Sequence, residues 1–150
     1  MKKIIKLFID LDGTICGRDG WISWGVNTRA LFKTGILSPT IPPKHSWKIL
    51  TARPRIDKFI INRAMRKYKL FPEEIIVSPT LFYRFKNSES VANWKSSILS
   101  MVADNIFVDK VVYTDSDSNI LSKMIKHKNI ILCRPDTLKK VLEELELSNN

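Results

Sequence analysis

The sequence predicts an α/β domain in which helices cover both faces of a mainly parallel sheet of about five strands, a three-layer sandwich. Three observations predict it. Apolar runs of strand length alternate with amphipathic runs of helix length along the chain, the pattern of a parallel sheet buried on both faces. The 150 residues suit a single domain with a proper core, and no repeat or linker divides them. Asp10, Thr51 and Asp115 each stand where a predicted strand ends. In an open parallel sheet the binding crevice lies beyond the carboxyl ends of the strands.

The elements follow in order. Residues 4–9 form an apolar strand that stops at Asp10. Asp19-Gly20, between Ile15-Cys16-Gly17 and Trp21-Ile22-Ser23-Trp24, predicts a small hairpin. Asn27 or Thr28 caps a short helix through Leu37, which the loop holding Pro39, Pro42 and Pro43 ends. Residues 47–50 read as a second buried strand running into Thr51-Ala52-Arg53-Pro54. Over 55–69 the spacing predicts a helix, with Ile56, Phe59, Ile60, Ala64, Met65 and Tyr68 on one stripe. Ile75-Ile76-Val77 is a third strand, and Val91, Trp94, Ile98 and Met101 mark the next helix. Val111-Val112-Tyr113 is a fourth strand, followed at once by Thr114-Asp115-Ser116-Asp117-Ser118-Asn119. A helix over 119–127, a strand over 129–133 and a helix over 137–147 complete a Rossmann-like alternation.

Composition narrows the function. The chain is 44% hydrophobic and 27% charged, and no apolar stretch is long enough to cross a bilayer. Met1-Lys2-Lys3-Ile4-Ile5-Lys6-Leu7 reads as a first strand rather than a signal peptide. Cys16 and Cys133 lie far apart without metal-ligand spacing, which predicts two reduced thiols and a cytoplasmic location. His45 and His127 are equally isolated, so neither a zinc site nor a catalytic His is expected. The net charge of +10 favours an anionic partner, although a chain rich in Lys, Ile and Asn can reach that total through biased composition. Clustering is the better guide. Residues 53–69 hold seven Lys or Arg against one Asp.

The chemistry centres on Phe8-Ile9-Asp10-Leu11-Asp12-Gly13-Thr14, two carboxylates one residue apart at a strand tip. Like charges about 4 Å apart repel by roughly 4 kcal/mol at an effective dielectric near 20. Such a pair persists most easily where a cation bridges it or one member keeps a proton, and both conditions suit phosphoryl chemistry. The plainer reading is a turn acid beside a helix cap.

Together these residues resemble the haloacid dehalogenase (HAD) superfamily of phosphohydrolases, over nearly the whole chain. Its first signature matches Phe8-Ile9-Asp10-Leu11-Asp12-Gly13-Thr14-Ile15, and its second matches Ile49-Leu50-Thr51. Its third, a Lys near a helix start, matches Lys95 in Asn93-Trp94-Lys95-Ser96, with Lys86 and Lys110 as rivals. Its fourth matches Val112-Tyr113-Thr114-Asp115-Ser116-Asp117-Ser118-Asn119. The resemblance implies a HAD-like fold and magnesium-dependent phosphomonoester hydrolysis through an aspartyl-phosphate. Asp10 would be the nucleophile and Asp12 the general acid and base, an acid that the superfamily's dehalogenases lack. Asp10, the backbone carbonyl of Asp12, and Asp115 would hold Mg²⁺. Thr51, Lys95 and backbone amides near Leu11 and Gly13 would bind phosphate. The fourth signature departs from the family form: Thr114 replaces a Gly, Asn119 stands where an Asp is common, and Asp117 is an added acid. Whether Asp117 or Asn119 completes the metal site is open at this point.

Many relatives carry a cap domain after the first signature or between the second and third. Residues 15–46 leave room for a small flap-like insertion, and residues 54–94 are used up by a helix, a strand and a loop, so the cap is minimal or absent. An open crevice admits a polymer end, and Arg53 and Arg55 could approach a backbone phosphate beside the reacting one. Trp21, Trp24 and Phe82-Tyr83 could stack bases. Residues 90–95 are also similar to phosphatase domains attached to RNA-repair proteins. The expected substrate is a terminal phosphate of DNA or RNA. The alternatives are a nucleotide or other small phosphomonoester, and a nucleic-acid-binding module without turnover.

Overall fold

The computed structural model describes residues 4–15, 45–67, 69–82 and 85–148. The expected hairpin, the short capped helix and the proline loop lie outside the described residues, and so do nearly all of the insertion over 15–46, Cys16, Trp21, Trp24, Tyr68 and Tyr83.

Strands β1 (Ile4–Ile9), β2 (Trp47–Leu50), β3 (Glu74–Ile76), β4 (Val108–Thr114) and β5 (Ile130–Cys133) form one sheet in the order β3-β2-β1-β4-β5. Every pairing is parallel. Helices α1 (Lys58–Lys67), α2 (Ser88–Ala103), α3 (Ser118–Lys123) and α4 (Leu138–Ser148) supply the outer layers. Because side chains alternate along a strand, each strand feeds both layers. Leu7 and Ile9 of β1, Ile49 of β2 and Val112 of β4 pack with Ile61, Ala64 and Met65 of α1 and with Leu138 and Leu142 of α4. Phe8, Leu50, Val111 and Tyr113 face the other way, onto Ala92, Leu99 and Ala103 of α2 and Ile120 of α3. The fold is therefore α/β, three-layered and Rossmann-like. Among the described residues no helix is long and apolar enough to cross a membrane.

Two helices sit in a different rotational phase from the one their apolar residues predict. The segment expected as a helix over 55–69 is a 3₁₀ turn, Arg55–Asp57, followed by α1. Its buried face is Asp57, Ile61, Ala64 and Met65, whereas Phe59 is 73% exposed and Ile56 also faces out. In α2 the buried residues are Ala92, Lys95, Ser96, Leu99 and Ala103, with Val91, Trp94 and Ile98 on the flanks and Met101 74% exposed. In both cases the inward stripe carries buried polar groups, which a hydrophobic pattern places outside. The helix expected over 119–127 is shorter. It stops at Lys123 because Met124 turns extended and the Ile125 N–H donates instead to Ser96 Oγ at 3.0 Å.

The strands end level at the site. Ile9 pairs with Ile49 on one side and Thr114 on the other, and Thr114 pairs with Cys133. Each ladder runs one residue further. The Asp10 N–H donates to the Thr114 carbonyl at 3.0 Å, Thr51 N–H to Ile76 at 3.0 Å, and Asp115 N–H to Cys133 at 3.2 Å. Three loop residues are thus fixed by the sheet itself. The chain steps outward through β2 and β3 on one side of β1 and returns through β4 and β5 on the other, so the strand order reverses between β1 and β4. That reversal opens the crevice where ligands bind.

Candidate active site

Asp10 and Asp115 leave the ends of these two neighbouring strands, and Lys95 of α2 reaches between them. The Lys95 ammonium donates to Asp10 Oδ1 at 2.8 Å, to the Tyr113 hydroxyl at 2.6 Å and to Asp115 Oδ2 at 3.2 Å. The Tyr113 hydroxyl in turn donates to Asp115 Oδ2 at 2.6 Å. All four side chains are buried. Burial pushes the Asp10 carboxyl up to about 7, with Asp115 and Asp12 adding to the rise and Lys95 opposing it. For Lys95, burial acts against the charge, but Asp10 and Asp115 outweigh it and hold the ammonium above its ordinary range. Burial, reinforced by Asp10 and Asp115, raises the Tyr113 phenol well above its usual value, so it remains an O–H donor.

The loop after β1 turns back at once. Gly13 has φ 80°, the left-handed region that suits glycine, and the Thr14 and Ile15 N–H groups both return to the Leu11 carbonyl. In this turn the Thr14 hydroxyl donates to Asp10 Oδ2 at 3.4 Å, while the Thr14 Oγ1 accepts from Ser116 N–H at 3.0 Å. Thr14 therefore ties the β1 loop to the β4 loop.

Asp12 is gripped from across the crevice. Arg53 Nε donates to its Oδ2 at 2.9 Å and Nη2 to its Oδ1 at 2.8 Å, while Nη1 reaches Asp57 Oδ2 at 3.4 Å. Where the sequence suggested that Arg53 approaches a substrate phosphate, the structure shows it on Asp12. Arg53 is only 3% exposed and its fork lies on Asp12, the geometry in which guanidinium best matches a carboxylate. Arg55 is exposed, as a phosphate-seeking residue must be.

Asp10, Asp12, Thr51, Lys95, Asp115 and Asp117 share one cavity of about 290 Å³. Ala52, Val91 and Ile120 make its apolar wall. Thr51 does not cap a helix; its hydroxyl accepts from Arg53 N–H at 3.3 Å. Gly13 is not part of the lining and serves the turn. Asp117 lines the cavity and also caps α3, accepting from the N–H groups of Asn119 and Ile120. Asn119 points instead to Ser88 Oγ at 3.2 Å, so of the two open candidates Asp117 is the one at the site. The rival lysines are elsewhere, Lys86 exposed and Lys110 bonded to the Lys128 carbonyl.

Sequence reasoning missed Tyr113, Thr14 and the use of Arg53. For Tyr113 the signal was present: it precedes Asp115 by two residues, the spacing that puts two side chains on one face of a strand.

Among the described residues, the lining sets four carboxylates against one ammonium, and Arg53 behind the wall offsets Asp12. This oxygen-rich, negatively charged donor set fits a hard divalent cation. No group of three or more His, Cys, Asp or Glu side chains among the described residues is arranged to hold a metal by itself. Mg²⁺ does not require one, since it takes one or two carboxylates and keeps several waters. Asp10, the Asp12 carbonyl and Asp115 are the groups that would hold it. Compared with models of known protein families, with curated proteins and with solved structures, the chain matches none, so the functional reading rests on the sequence signatures and the geometry of the crevice.

Proposed function

We propose that the chain is a magnesium-dependent phosphomonoester hydrolase of the HAD type, working through an aspartyl-phosphate on Asp10. The observation that carries this reading is a buried carboxylate held 2.8 Å from an ammonium at the strand-order reversal, with Asp12 and Asp115 lining the same cavity.

Asp10 attacks phosphorus through a carboxylate oxygen, and the bond from phosphorus to the leaving oxygen breaks. The leaving oxygen takes a proton from Asp12 and departs as an alcohol. Water then gives a proton to Asp12 while its oxygen attacks phosphorus, the Asp10–phosphorus bond breaks, and inorganic phosphate leaves. Both Asp12 oxygens accept from Arg53, so the grip must loosen at one oxygen when the proton is carried there. Lys95 offsets the charge of Asp10, and Thr51, whose hydroxyl oxygen already accepts from Arg53, keeps its own hydrogen for a phosphoryl oxygen. Bound magnesium would supply positive charge against the phosphoryl oxygens.

The preferred substrate is a nucleic-acid terminal phosphate, supported by the exposed Arg55 and Lys58 that follow Thr51 in the chain. A nucleotide or other small phosphomonoester is the second reading, favoured by the apolar wall and modest volume of the cavity. Release of p-nitrophenol from its phosphate ester tests the enzyme reading. Hydrolysis is expected to require Mg²⁺ and to fall about 10³-fold or more in Asp10→Asn. Absent hydrolysis of every phosphoester refutes it and leaves a nucleic-acid-binding module, and magnesium-independent hydrolysis refutes the metal's part in it.

A further inference from the structure

We propose that Tyr113 is a positioning residue for the cation site: its hydroxyl, bonded to both Lys95 and Asp115, keeps the ammonium on Asp10 and leaves Asp115 able to take a divalent cation. The inference rests on the proposed function only in treating Asp10 and Asp115 as cation ligands.

Lys95 has three N–H donors, and the three acceptors within reach are Asp10, Tyr113 and Asp115. The shortest of the three contacts, 2.6 Å, goes to the phenol, and the longest, 3.2 Å, to Asp115. The same phenol donates to Asp115 Oδ2 at 2.6 Å, so the hydroxyl is wedged between the ammonium and that carboxylate. Without the hydroxyl, three donors share two acceptors, both carboxylates, and nothing keeps the ammonium from closing on Asp115. A divalent cation would then have to displace Lys95 before it could bind. Tyr113 acts through Lys95 and Asp115, and its buried hydroxyl is not a group that meets substrate.

Tyr113→Phe keeps the ring and removes only the hydroxyl. Titration calorimetry with Mg²⁺ alone, without substrate, is expected to show affinity about tenfold weaker in this variant. Lys95→Gln, which removes the competing ammonium, is expected to bind Mg²⁺ more tightly than the unaltered protein. A crystal structure of metal-free Tyr113→Phe should show Lys95 Nζ closer to Asp115 than 3.2 Å. A residue that merely supported the fold would lower the unfolding temperature in chelator and leave Mg²⁺ affinity unchanged. Unchanged affinity in Tyr113→Phe, or no gain in Lys95→Gln, overturns the proposal and leaves the hydrolase reading standing. Tyr113-dependent Mg²⁺ binding without phosphoester turnover upholds the proposal and overturns the hydrolase. No Mg²⁺ binding by the unaltered protein at millimolar concentration overturns both.

Discussion

Asp10 carries the sharpest consequence of any single residue. The unfolded chain releases its proton near 3.8, whereas the metal-free fold keeps it to about 7, chiefly because the group is buried. Between those values the folded state binds more protons than the unfolded state, so stability from this group declines as pH rises from about 4 to about 7. Lys95 adds no slope there, because its raised value lies above 10.5 and its contribution is constant well below that. Urea unfolding in chelator is therefore expected to give lower stability at pH 7.5 than at pH 5, and Asp10→Asn should flatten the difference. A variant with the same slope would show that another group titrates. The carboxylates of this site were legible in the sequence because two acids stand one residue apart at one strand end and a third follows another strand of the same sheet. Arg53 was not, because its role depends on Asp12, a partner 41 residues away, and its charge alone suggested phosphate.

At the level of the elements, strands and helices follow from apolar spacing, but the orientation of α1 and α2 does not. The buried stripes here include Asp57, in the 3₁₀ turn before α1, and Lys95 and Ser96 of α2; Asp57 pairs with Arg53 four residues earlier, whereas only the fold supplies the Asp10–Asp115 pair and the Ile125 N–H. Buried polar groups reverse the sign of a hydrophobic pattern where function or a tight connection needs them. Asp117 is the opposite case, one side chain serving an element and the site together. It caps α3 and lines the cavity. Asp117→Asn keeps an amide oxygen that can cap and should leave the unfolding midpoint nearly unchanged while weakening Mg²⁺ binding. Asp117→Ala should weaken binding as well and cost about 1 kcal/mol through the lost cap. Equal Mg²⁺ affinity in Asp117→Asn and the unaltered protein would confine the residue to capping.

For the whole molecule, the order β3-β2-β1-β4-β5 explains why residues more than 100 positions apart meet: Asp10 and Asp115 end the two strands that flank the reversal. The same layout decides how the basic helix can serve a polymer. Helix α1 runs from Lys58 to Lys67, about 15 Å at 1.5 Å per residue, and it begins after the crevice residues Thr51 and Ala52. Arg55 and Lys58 are the basic residues that follow the crevice residues most closely along the chain, whereas Arg66 and Lys67 lie at the far end of the helix. All four are exposed. A nucleic-acid end bound at Asp10 would place its next phosphates on the near pair. Two such contacts give a salt slope of about −1.4 for a single strand, so a fourfold rise in salt weakens binding about sevenfold. With a 3′- or 5′-phosphorylated oligonucleotide, kcat/KM is expected to show this slope and to lose most of it in Arg55→Glu/Lys58→Glu, while Arg66→Glu/Lys67→Glu changes little. Mononucleotides, which have no second phosphate to place there, should respond weakly to either pair. Faster cleavage of free nucleotides than of both oligonucleotides at physiological salt would assign the crevice to small phosphomonoesters and make the basic helix a solvated face.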